Sequence, residues 1–64
     1  MMKNEMIYYY LTFTDNGCDC DGEQYVNLDD ARDVAWEWSA ETNRRIGILE
    51  CFGLAENVIE TVLA

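Results

Sequence analysis

Apolar positions in this chain follow a period of two over residues 6–14 and then of about 3.6 over residues 28–43. Over residues 6–14, "MIYYYLTFT", alternation sets Ile7, Tyr9, Leu11 and Phe13 on one side and Met6, Tyr8, Tyr10 and Thr12 on the other. β-branched and aromatic residues at that period predict a strand whose first face belongs to the core. The second face is too apolar to be fully solvated and too polar for a deep core, which leaves Tyr8 and Tyr10 half-exposed or on a self-association surface. Residues 28–43 predict a helix. Asn27 suits the N-cap, Asp30 stands where a capping-box acid would, and Leu28, Ala31, Val34, Ala35, Trp38 and Thr42 form one apolar stripe.

"IGILECF" (46–52) reads as a strand. The tail "LAENVIETVLA" fits two patterns: Leu54, Val58, Thr61 and Val62 suit a helix face, whereas its β-branched residues suit a strand pairing back on 46–52. The hairpin is the favoured reading. Residues 23–26 could add a short strand returning against the first. The expected fold class is therefore α+β: a small antiparallel sheet of three to four strands, one amphipathic helix packed on one face, and a single domain over residues 1–64.

The stretch "DNGCDCDGE" (15–23) carries four acids, two cysteines and two glycines. It fails as a calcium loop: with Gly22 at position 6, position 1 is Gly17 and position 12 is Leu28. Zinc fares no better, since the chain has no His and only Cys18, Cys20 and Cys51 as sulfur ligands. Asn16-Gly17 and Asp21-Gly22 are turn dipeptides, so the stretch reads as an acidic connection with its cysteines at the surface. An odd cysteine count favours free thiols, and Cys51 within a strand reads as a small core residue. No metal or cofactor is expected.

Charge changes the picture more than any motif. Thirteen acids against four bases give a net charge of -9, and residues 15–41 hold nine of those acids with Arg32 as their sole base. Opposite the apolar stripe, Asp29, Asp33, Glu37 and Glu41 recur every four residues, with Asp30 beside them and Trp36 next to Asp29 on the helical wheel. Like charges at that spacing each cost a helix a few tenths of a kcal/mol, and a helix built for stability alone would interleave lysines. Solubility is the plainer explanation of such a face. The sharper one is a binding surface, with the exposed Trp36 as an anchor among carboxylates and the loop acids Asp19, Asp21 and Glu23 extending it.

Such a field repels nucleic acid and anionic lipid and steers toward basic partners, so neither direct nucleic-acid binding nor membrane association is expected. The absence of His and of a pocket that would separate carboxyl pKa values argues against an enzyme. With no apolar run long enough to span a bilayer and no secretory leader pattern, the expected location is the cytoplasm.

Small size, lack of His and Pro, strong acidity, the "DDARDVAWEWSAE" ridge and a thin sheet together resemble the small acidic phage-encoded anti-CRISPR proteins of the DNA-mimic type. The resemblance is one of type. It implies a non-enzymatic inhibitor that acts in the host cytosol, binds a basic nucleic-acid-binding complex, most specifically a type I CRISPR surveillance complex, and blocks its access to target DNA. The tyrosine-rich first strand, the turn at Asp19 to Gly22, and Leu28, Ala31, Arg32 and Ala35 also look like small bacterial βαβ-type domains of unknown function. The other class of reading is an acidic homodimeric interaction module without mimicry, joined through Tyr8, Tyr10 or an edge strand. Monomer and homodimer both fit the sequence.

Overall fold

The structure, a computed structural model, describes residues 7–64, so Met6 of the expected first strand lies outside the described residues. Four elements follow in order: β1 (Ile7–Phe13), α1 (Leu28–Thr42), β2 (Ile46–Phe52) and β3 (Ala55–Val62). The strands form one antiparallel sheet with α1 across one face, as expected, and the sheet order is β1-β2-β3. The tail is a strand, and its helical reading falls. Gly53, at φ 61°, makes the turn from β2 into β3 in a conformation that side-chain-bearing residues rarely adopt.

Residues 23–26 form no strand. Their return against β1 shrinks to one bridge, in which Tyr9 and Tyr25 exchange both backbone hydrogen bonds at 2.7 and 2.9 Å. The chain has just left the positive-φ turn at Gly22 and must cap α1 at Asn27, which leaves no length for a ladder. Further bonds from Phe13 to Cys18 and from Cys20 to Leu11 lay the 14–26 connection along the outer edge of β1.

Helix α1 begins where Asn27 Oδ1 accepts the Asp29 N–H at 2.8 Å. It ends one residue earlier than expected, because Asn43 is a left-handed cap at φ 58° whose N–H bonds the Ser39 carbonyl. Its innermost line is Ala31, Ala35 and Ser39, all at most 1% exposed, with Leu28, Val34 and Trp38 half-buried beside it. Small residues one turn apart let the helix sit close over Leu11, Phe13, Ile46 and Ile48, and Phe13 meets Trp38 edge-on at 5.9 Å. Ser39 is a polar residue in this core, satisfied because its Oγ accepts the Ala64 N–H at 2.8 Å. Ile7, assigned to the core face, is 41% exposed at the strand's start.

One irregularity shapes the third strand. Ile48 faces Glu60 but Leu49 faces Val58, so Ile59 is an extra residue in β3 and the strand carries a bulge there. Glu60 and Val62 consequently face the helix side with Ile48 and Ile46, while Val58 shares the opposite face with Leu49 and Tyr10.

Candidate interaction surface

The helix delivers its acids as one solvated row. Asp29, Asp30, Asp33, Glu37 and Glu41 are all exposed, as is Trp36 at 51%. At 100° per residue Trp36 falls between Arg32 and Asp29 on the flank of this row. Asp29 has a counter-charge, since Arg32 reaches it at 3.2 Å, but the same guanidinium directs its Nε to both carboxylate oxygens of Glu60 at 3.0 and 3.2 Å. Arg32 therefore ties the helix to β3 as much as it neutralises the row. Among the described residues Asp30, Asp33, Glu37 and Glu41 make no ion pair.

The loop acids do not join that row. Asp19 bridges to Thr12, whose side chain shares the sheet face turned away from α1, so Asp19 lies on the opposite side of the molecule from the helix acids. Glu23 is exposed. Asp21 is half-buried and fully engaged: Oδ2 accepts the Tyr25 hydroxyl at 2.8 Å and, at 3.4 Å, the Trp38 indole N–H, while Oδ1 accepts the Glu23 N–H at 3.1 Å. Burial, reinforced by the hydrogen bond to Asp21, pushes the Tyr25 hydroxyl up to about 12. Asp21 thus serves as a joint between loop and core, placed there by an Asp-Gly turn with Gly22 at φ 70°.

Two further features escape the sequence pattern. Asp15 and Arg44 pair in a fork, with Nε to Oδ2 at 2.9 Å and Nη2 to Oδ1 at 2.7 Å, and the guanidinium stacks 3.8 Å from the centre of the Phe13 ring. The Arg44 hydrogen bond holds the Asp15 carboxyl below its ordinary value. The cysteines divide three ways: Cys18 is exposed, Cys51 is buried, and Cys20, expected at the surface, is half-buried against the core because its backbone N–H is drawn to Leu11. Burial raises the Cys20 thiol to about 11.

Among the described residues no three Cys, Asp or Glu side chains converge on a possible metal position, and no helix is long and apolar enough to cross a membrane. No family model, curated protein or solved structure matches the chain.

Proposed function

We propose that the chain is a non-enzymatic inhibitor that presents α1 to the basic nucleic-acid channel of a DNA-binding complex, most specifically a type I CRISPR surveillance complex, and blocks target DNA from entering. The observation that carries this reading is the exposed row Asp29, Asp33, Glu37 and Glu41, three of whose four members lack a described basic partner. Residues four apart on a helix rise about 6 Å, so the row spans roughly 18 Å. A duplex presents one charge per ~1.7 Å of axis, and a channel that tracks a backbone by charge and shape reads no base edges. A rigid row of carboxylates can occupy such a channel without imitating a base.

The test is binding of purified surveillance complex by the variant Asp29→Asn, Asp33→Asn, Glu37→Gln at two salt concentrations, with circular dichroism as the folding control. These positions are exposed, so the fold should persist and gain a few tenths of a kcal/mol for each relieved like-charge pair. Binding should collapse in the variant, weaken with salt in the parent, and be competed by duplex DNA. A folded variant that binds at full strength overturns the proposal.

A further inference from the structure

The sheet face turned away from α1 holds an open trough of about 420 Å³ lined by Tyr10, Asp19, Gly22, Leu49 and Glu56. Tyr10 and Leu49 are directly opposed on β1 and β2 and form its floor, half-buried. The register fixes its ends. Asp19 bridges to Thr12, two residues along from Tyr10 and beyond the β1 edge, whereas Glu56 opposes Cys51, two residues along from Leu49 and on β3. The two carboxylates therefore stand at diagonally opposite corners of an aromatic and aliphatic floor. Gln24 donates to the Tyr10 hydroxyl at 2.7 Å and holds the ring in place. The described ion pairs engage Asp15, Asp29 and Glu60, so neither Asp19 nor Glu56 has a counter-charge among the described residues.

We infer that this trough binds a short basic segment of a protein partner, its lysine or arginine head groups at Asp19 and Glu56 and its aliphatic stems along Tyr10 and Leu49. Long basic side chains suit both parts, since their methylene stems cover apolar surface while the charged head stays at a wet rim, and a cation near the Tyr10 ring gains further attraction. Charge complementarity decides the occupant. A second copy of the chain would bring its own Asp19 and Glu56 and a net charge of -9 against the same pair, and a neutral apolar segment would desolvate both carboxylates with nothing to compensate them. Because the trough and the helix row lie on opposite sides of the sheet, this inference is independent of the inhibitor reading.

The experiment is a titration of the full chain, ¹⁵N-labelled, with acetyl-Lys-Gly-Lys-amide at low ionic strength, with acetyl-norleucine-Gly-norleucine-amide as the neutral control. The lysine peptide should shift the amides of Gly22, Leu49 and Glu56 saturably. Asp19→Asn with Glu56→Gln should weaken it roughly three- to tenfold, as expected for losing two exposed ion pairs. The helix variant used above should bind it as the parent does. Spectral dispersion reports folding in the same experiment, and Glu56→Gln alone serves if the double variant is disordered. Equal shifts with the norleucine peptide, shifts confined to α1, or full affinity in a folded Asp19/Glu56 variant would each overturn the inference. So would a dimer of the parent that the lysine peptide disperses, because the occupant would then be a second copy.

Discussion

Asp21 is the acid whose removal should harm this protein most, although it is one among thirteen. Its Oδ2 takes the Tyr25 hydroxyl at 2.8 Å in a part-buried setting, and bonds to a charged acceptor contribute about 1.5–3 kcal/mol, so the lower end applies here. The Trp38 indole at 3.4 Å is long enough to add only a few tenths, and the turn bond to the Glu23 N–H at 3.1 Å adds about 0.5 kcal/mol. Asp21→Ala should therefore cost about 2–3 kcal/mol, a large share of the roughly 3–10 kcal/mol expected for a chain of this length. Asp21→Asn keeps acceptors for both bonds and should cost about 1 kcal/mol. Urea unfolding followed by tryptophan fluorescence measures both, and spectrophotometric titration should show Tyr25 moving down from about 12 in either variant, part of the rise surviving because burial is its larger cause. If Asp21→Ala lies within about 0.5 kcal/mol of the parent, as an ordinary surface substitution would, the joint between loop and core is not there.

The tryptophans should separate cleanly: Trp38→Ala loses the edge-on contact with Phe13 and costs about 3 kcal/mol by thermal or urea unfolding, while Trp36→Ala stays within about 0.5 kcal/mol. A thiol reagent should label Cys18 first and Cys51 only on unfolding, and Cys20→Ser should lower the melting temperature where Cys18→Ser does not. Stability should also fall at high pH. Cys20 rises from 9.0 to about 11 and Tyr25 from 10.0 to about 12, chiefly through burial, and a folded pKa above the unfolded one means stability present below the unfolded value and lost as pH climbs through the folded one. Melting temperatures should thus decline between pH 9 and 12, and Cys20→Ala should remove only part of the loss that begins near pH 9, the rest belonging to Cys51, whose thiol burial also raises.

Elements were legible wherever one period ran uninterrupted. β1 alternates and α1 carries one stripe, and the wheel correctly set Trp38 inward and Trp36 outward, while β2, apolar on both faces, was legible from its β-branched and aromatic content. The tail was ambiguous for a physical reason: the bulge at Ile59 breaks the two-residue period, so Val58 and Glu60 face opposite sides of the sheet despite their spacing. Ser39 stands one turn after Ala35 on the buried line, but its hydroxyl disguised it, and the Ala64 N–H that makes burial tolerable lies 25 residues away. In the sequence Asp21 looks like any other solvated acid, because charge alone cannot distinguish a carboxylate facing water from one that a turn folds back onto a tyrosine. The trough was invisible for a related reason, since its walls come from β1, β2, β3 and the 14–26 connection and meet only through the sheet register.

The allocation of the few bases links the stability of the fold to the exposure of its acids. Arg44 is spent on Asp15 and the face of Phe13, which pins the start of the 14–26 connection to the residues leading into β2. Arg32 sits on the helix within reach of the acidic row yet gives its Nε to Glu60, closing α1 onto the edge strand. Both ion pairs are open to solvent, so screening keeps each of them weak, as it would an interleaved lysine pairing with Asp33 or Glu37 on the helix. Core burial at Ala31, Ala35, Ile46 and Ile48 carries the fold instead, and it leaves the solvated side of the helix free of any structural demand for charge balance. A helix held by one face can keep an unneutralised row on the other, and that row is available to whatever basic surface reaches it first.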